Sequence, residues 1–338
     1  MSVASPVAGP VIEGVTGSVQ STLARIVRRN GWTIVLYLLL AALLLLARAL
    51  RSGFGPADIQ SLAIGVMPII FAAAAQTVCV ISGGIDLSVG PVMAFTSVTA
   101  AALMKGGSEE SAIVVVIFVL LLGVAVGAIN GALVVVSRVP DIIVTLAMSF
   151  VWAGAALLVL SSPGGAAAEW FKDLSSGSFL IDWLPKALVV VLVCVALVWL
   201  PLRRSRLGLS MYALGSSPVA ALRSGVDVNR TKVAAYMVTG LFAAAGGLTL
   251  TMITGIGSPR PGDYTLNGVA AIVLGGVSLV GGRGGMLGPI AAAFILSLIR
   301  INLVFLGVEP SYSTVIQGVI LIIVVMIGGL VALRRSRA

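Results

Sequence analysis

Apolar runs of about membrane-crossing length, repeated along the chain, are the feature that most limits what this sequence can fold into. A hydrocarbon core about 30 Å thick is crossed by roughly 20 apolar residues rising 1.5 Å each. Such runs fall at 32–50, 60–81, 88–104, 112–136, 142–160, 187–202, 233–254, 266–280, 286–306 and 313–333, with the sixth and eighth short. Lipid offers backbone N–H and C=O groups no partners, so each run must satisfy its own by forming a helix. The expected fold is all-α: a polytopic membrane protein of about ten transmembrane helices, some of them broken or short.

Composition excludes the alternative of a large soluble domain. Charged residues are 10% of the 338 and the mean hydropathy is +1.14. A soluble globule carries about 25% charged residues. The 40 glycines and 14 prolines lie largely within or beside apolar runs, where neighbouring helices can satisfy any backbone groups they free.

Orientation follows from the basic residues. With a cytoplasmic N-terminus, ten spans also return the C-terminus to the cytoplasm. The inside segments then hold Arg25, Arg28, Arg29, Arg138, Arg203, Arg204, Arg206, Arg223, Arg230, Lys232, Arg283, Arg334, Arg335 and Arg337, fourteen of the 21 basic residues. A basic rim facing anionic lipid accounts for the net charge of +9 without a nucleic-acid partner. Residues 1–30 read as a disordered cytoplasmic tail, 31–333 as the membrane domain with a cytoplasmic loop at 203–232, and 334–338 as a basic cytoplasmic tail. The run from Trp32 to Leu50 is too long for a cleaved signal peptide and reads as an anchoring helix.

Several chemistries are missing from the sequence. There is no histidine, and the two cysteines, Cys79 and Cys194, lie inside spans as packing residues. No GxxxxGK[ST] phosphate loop occurs, so ATP binding is not expected of this chain, nor is any bound cofactor or metal. The stretch Gly281-Gly282-Arg283-Gly284-Gly285 reads as a tight turn between packed helices. Arg300 is the one clear mid-span charge, placed either to snorkel to the outer interface or to line a cavity. Scarce intramembrane charge suits an uncharged polar solute and an energy source outside the chain. It weighs against the alternative of an ion-coupled secondary transporter, and a membrane-embedded enzyme finds no nucleophile or metal cluster here.

Four segments interrupt the pattern. Ser82-Gly83-Gly84-Ile85-Asp86-Leu87-Ser88-Val89-Gly90-Pro91 is either a cap and turn, with Asp86 capping the helix after it, or a broken helix beside the solute path. Leu274-Gly275-Gly276-Val277-Ser278-Leu279 echoes it as Gly-Gly-(Ile/Val)-(Asp/Ser)-Leu. In the cytoplasmic loop, Ser217 and Pro218 can start a short helix and Gly225 can stop it. That helix is either a plain connector or a docking knob for a cytoplasmic partner. The outer stretch from Ser161 to Lys186, with Trp170, Phe171 and Trp183, suits a re-entrant or surface helix at the interface and part of a docking face for an extracellular partner.

Taken together, in order and spacing, these segments resemble the permease subunits of bacterial ABC importers of the ribose/xylose/galactose type. The resemblance runs from about residue 59 to residue 333. It is carried by residues 82–90, Gly127-Ala128-Ile129-Asn130-Gly131, Pro140-Asp141-Ile142-Ile143-Val144-Thr145-Leu146, Tyr212-Ala213-Leu214-Gly215, Ser224-Gly225-Val226, Asn229-Arg230, Lys232, Gly262-Asp263-Tyr264, residues 270–276, 281–284 and Gly288. It implies a multi-pass protein of the bacterial inner membrane that forms the path for inward movement of a monosaccharide or related polar solute. Its implied partners are cytoplasmic ATP-binding subunits, a periplasmic solute-binding protein and a second permease copy, identical or not. It also implies that Ser217, Pro218, Ala220, Ala221, Arg223 and Gly225 form the ATPase-coupling segment. Candidates for the translocation path are Gly83, Gly84, Asp86, Ser88, Asn130, Asn267, Gly275 and Gly276. The chain departs from the family pattern at Val219, where an acidic residue often opens the coupling run, around Ser216-Ser217-Pro218, and at Thr265, where the family usually carries glutamate after the tyrosine.

Overall fold

The computed structural model describes residues 15–260 and 262–309, and beyond them 312, 315, 316, 318, 319, 322 and 326; side chains are described from Gly31 onward. Its helices are α1 (Val15–Leu50), α2 (Pro56–Ile81), α3 (Val89–Met104), α4 (Ser111–Ser137), α5 (Asp141–Val159), α6 (Glu169–Asp173), α7 (Lys186–Arg204), α8 (Arg206–Ser216), α9 (Pro218–Arg223), α10 (Val228–Thr254), α11 (Tyr264–Leu274) and α12 (Leu287–Phe305). Seven are long and apolar enough to cross a bilayer: α1 from Gly31, α2, α4, α5, α7, α10 and α12. The apolar helices α3 and α11 are shorter. The architecture is the expected all-α polytopic one.

Two expectations change in detail. The helix of the first span runs back to Val15, so residues 15–30 are helical where a disordered tail was expected. Residues 15–30 contain no proline, and extending a formed helix is far easier than nucleating one. The eighth span stops at Leu274 instead of 280, because Gly275-Gly276 caps it. At 11 residues α11 covers only about 16 Å, too little to cross a membrane. The tenth span, 313–333, lies largely outside the described residues.

Helices α2 and α10 form the centre. α10 packs on α4, α2 and α3; α11 and α12 pack on α2; α1 covers α12; α5 lies against α3. α7 packs chiefly on α2 and α8, and α5 on α3 and α4. The α4–α10 contact is backbone on backbone: a side chain at Gly127 would overlap the Tyr236 carbonyl, and one at Gly240 the Gly123 carbonyl. Between membrane helices, where lipid is as apolar as leucine, such close approach and buried hydroxyl pairs hold the packing. Ser97 Oγ and Thr251 Oγ1, 2.9 Å apart, tie α3 to α10 in this way.

The third span is short for a reason visible in its surroundings. After α2 ends, Ser82, Asp86 and Ser88 remain buried at 2, 3 and 0% exposure. Ser88 reaches Asn130, two turns above the cytoplasmic end of α4. The chain therefore leaves α2 at the cytoplasmic edge, re-enters, and starts α3 inside the membrane. On the far side, Gly257 pairs with Gly164 near the outer ends of the helices, whereas Thr265 contacts Gly90 at the start of α3. Between them, residues 258–260 and 262–263 have no helical structure.

Candidate functional site

Two connected features form the candidate site: a cytoplasmic cluster of turns beneath α3, and a cavity beside the start of α3.

The cluster begins with two matching helix ends. At the end of α2, Gly83 N–H donates to Val80 O (2.9 Å) and Gly84 N–H to Cys79 O (3.1 Å). At the end of α11, Gly276 N–H donates to Val273 O (3.1 Å) and Val277 N–H to Ile272 O (2.9 Å). Both are Schellman caps, and each puts a glycine in the left-handed region, Gly83 at φ 78° and Gly276 at φ 79°. The sequence echo pairs Gly83 with Gly275, but the backbones pair Gly83 with Gly276. The identities of the echo are thus lost at the level of structure, and the likeness that remains is the one any glycine-capped helix end shares.

The α8–α9 loop rests on this cluster. A Cβ on Gly215, near the end of α8, would overlap the Ile81 carbonyl and crowd the Gly282 amide, which itself donates to Ile81 O at 2.9 Å. Tyr212 Oη donates to Gly284 O at 2.8 Å. Partial burial raises the Tyr212 phenol above its ordinary pKa, and the Arg203 charge offsets part of that, so the hydroxyl keeps its proton and remains a donor. The Gly281–Gly285 stretch is the tight turn expected, and it is clamped between α8 and the α2–α3 turn. Ser217 caps α9, accepting from Ala220 N–H (3.3 Å), with Pro218 in its first turn. Gly225, at φ 83°, follows its end. Ala221 faces inward, while Val219 and Leu222 are 62 and 64% exposed. Those two side chains and Ala220 point away from the protein on its cytoplasmic side.

A mostly buried ion pair lies next to the cluster. Lys232 Nζ is 2.6 Å from Asp141 Oδ2, which also accepts from Tyr236 Oη at 2.9 Å. The pair joins the first turn of α5 to the second turn of α10, and only a residue without a side chain at Gly84 leaves the carboxylate room.

Above these turns runs a chain of hydrogen bonds. Asp86 Oδ1 accepts from Ser88 N–H (2.8 Å) and Ser88 Oγ (2.6 Å), closing an Asx-type turn ahead of α3; the N-cap of α3 is Ser88, with no side-chain cap bond, so Asp86 does not cap the helix as the sequence suggested. Ser88 Oγ accepts from Asn130 Nδ2 (2.8 Å), and Asn130 Oδ1 accepts from Trp152 Nε1 (3.0 Å). Gln76 Nε2 donates to the Asp86 carbonyl at 2.6 Å. Thr145 Oγ1 accepts from Leu87 N–H (3.1 Å), and Thr265 Oγ1 accepts from Gly90 N–H (2.8 Å). Thr265 thus supplies an acceptor to the amides that open α3.

The cavity, about 510 Å³, lies between the start of α3 (Leu87, Gly90, Pro91, Ala94), the middle of α5 (Leu146, Ser149, Ala153) and the connection to α11 with its first turn (Pro259, Arg260, Gly262, Asp263, Thr265, Leu266). Its polar groups are Ser149, Arg260, Asp263 and Thr265. None of the path candidates from sequence lines this cavity: Asp86, Ser88 and Asn130 are buried beside the start of α3, and Gly83 and Gly84 form the turn below. Gly275 packs on Gly288 and Pro289, and Gly276 lies under Trp32, whose Nε1 donates to Leu274 O at 2.9 Å. Asn267 lines a separate cavity of about 170 Å³ with Ser61, Gly65, Ser297 and Arg300, which places Arg300 as a cavity-lining residue. Sequence reasoning did not pick out Gln76, Trp152, Arg260 or Tyr236, since nothing local marks them.

A protein of broken helices around a cavity, with no long soluble domain among its described residues and a short exposed helix on its cytoplasmic side, is a membrane transport subunit. Its sequence agrees: the chain belongs to the family described as branched-chain amino acid transport system / permease component, whose profile matches residues 58–325. It is 30% identical over 292 residues to the autoinducer 2 import system permease protein LsrD of Escherichia coli K12, covering 84% of this chain and 85% of that protein. Proteins of the same name from Shigella flexneri and Escherichia coli O157:H7 match to the same extent. No solved structure matches. The chain is a multi-pass permease of an ABC importer in the bacterial inner membrane.

Proposed function

We propose that this permease carries a small polyhydroxylated solute, a monosaccharide, a polyol or a related signal molecule, inward through the cavity beside α3, driven by a separate ATP-hydrolysing subunit docked on α9. The single observation that carries the reading is mechanical continuity. α9 stands exposed, α8 rests through Gly215 on the α2–α3 turn, and that turn leads directly through Asp86 and Ser88 to the part of α3 that lines the cavity. A displacement of α9 by an ATPase therefore reaches the cavity through packed backbone. The other implied partners are a periplasmic solute-binding protein and a second copy of a permease.

The lining supports an uncharged polar solute. Arg260 and Asp263 offset each other in charge, and Ser149 and Thr265 add hydroxyls that donate and accept. The relatives named for autoinducer 2 import make that molecule the first solute to test. Branched-chain amino acids are the second, because Arg260 and Asp263 would also face the two ends of a zwitterion. In proteoliposomes holding the permease, its ATPase and its binding protein, Arg260→Ala and Asp263→Ala are each expected to lower uptake about tenfold while basal ATP hydrolysis stays unchanged. Unchanged uptake in both variants places the path elsewhere. Uptake by the permease alone, driven by an ion gradient, overturns the importer reading.

Coupling has its own test. Ala220→Trp with Leu222→Asp puts a bulky ring and a carboxylate on the exposed face of α9. Gly225→Pro demands φ near −65° at a residue held at 83° and removes the amide that donates to Leu222 O. Both are expected to leave the protein folded and to cut solute-stimulated ATP hydrolysis about tenfold. Normal stimulation in both variants refutes docking at α9.

A further inference from the structure

The outer loop before α7 ends in a tight apolar tip that none of the transport machinery uses. Phe179, Leu180, Ile181 and Trp183 are 57, 79, 62 and 51% exposed, and Asp182 is the one charge among them. Three backbone bonds close the turn: Phe179 N–H donates to Leu184 O (2.9 Å), Leu184 N–H to Ile181 O (2.9 Å) and Lys186 N–H to Gly177 O (3.1 Å). A closed turn that holds its large apolar side chains outward, with its remaining amides free to meet water or headgroups, suits the interfacial layer. We propose that the Phe179–Trp183 tip is a bilayer anchor, seated in the interfacial layer of the outer leaflet.

Position favours lipid over a protein partner. The tip runs straight into α7, whose outward side chains Leu192, Val193, Leu197 and Leu200 are exposed and apolar, a face that lies in hydrocarbon. α7 packs chiefly on α2 and α8, while the cavity is lined by α3, α5 and the connection to α11. The tip therefore leads into a helix that packs chiefly on elements other than those lining the solute path. Its composition, a tryptophan with Phe, Leu and Ile beside a lysine that opens the next helix, is that of an interfacial segment.

The test places an environment-sensitive fluorophore at Leu180→Cys in a full-length Cys79→Ala/Cys194→Ala background, reconstituted in phospholipid vesicles, with a label at exposed Glu110→Cys as the aqueous reference. Expected are a blue-shifted emission at 180 and quenching by lipids spin-labelled near the headgroup at least about threefold stronger than at 110, with weak quenching by iodide. Iodide quenching equal to that at 110 overturns the proposal. So does shielding that appears only when the solute-binding protein is added, which assigns the tip to that partner. Shielding from iodide without quenching by lipid assigns it to a second permease copy and equally overturns the anchor.

Discussion

Gly215→Val is expected to abolish uptake. The residue sits where α8 meets the Ile81 carbonyl and the Gly282 amide, and a single added carbon already overlaps the carbonyl. The neighbours are backbone atoms of two capped turns, which have no rotamer by which to yield. Overpacking of a rigid contact costs about 1–3 kcal/mol and occasionally more, and valine adds two further methyl groups to the overlap. The cheapest relief is for α8 to lift off the α2–α3 turn, which breaks the route from α9 to the cavity. Solute-stimulated uptake should fall by at least about a hundredfold even where the complex still assembles, as judged by co-purification. Gly53→Val is the control, because a Cβ there meets nothing within 4 Å; it should leave uptake unchanged. Wild-type uptake by Gly215→Val would show that α8 transmits nothing through this contact.

Asp141→Ala should destabilise the folded chain by about 2–3 kcal/mol. The substitution leaves the Lys232 ammonium, 13% exposed, without its counter-charge and takes from Tyr236 its acceptor. Removing one partner of a fully buried pair costs about 3–5 kcal/mol, and the wetted fraction of this pair reduces that figure. Asp141→Ala with Lys232→Met removes both charges and should recover most of the loss, because the penalty lies in the unpaired charge and not in the missing attraction. Thermal unfolding of the purified chain in detergent measures the stability, and uptake in vesicles measures whether tying α5 to α10 also matters for transport. A single variant as stable as the wild type, or a double variant no better than the single, would show that the pair contributes little.

Much of the membrane fold can be read from hydropathy, and so can several ends. The Ser217-Pro218 start and Gly225 stop of α9 and the break after Ile81 depend on residues within a few positions of one another. Local chemistry is enough to find them. The end of α11 was missed because Val277 and Leu279 continue the apolar run past the glycines, and hydropathy does not register a cap. The site shows the same divide. Asp86 and Ser88 stand out in sequence beside their glycines, whereas Trp152 and Arg260 look like any interfacial residue.

The sequence by itself determined that this chain crosses a membrane many times, which way it faces, and where α9 begins and ends. Each of those properties sums over one contiguous stretch: transfer of apolar surface into lipid, charge retained on one side, a cap closing its own helix. Only the tertiary structure decided that Gly215 meets Ile81, that Asp141 pairs with Lys232, and that Arg260 and Asp263 share a cavity with the start of α3. These groups lie far apart in sequence, and their energies exist only once the helices are packed.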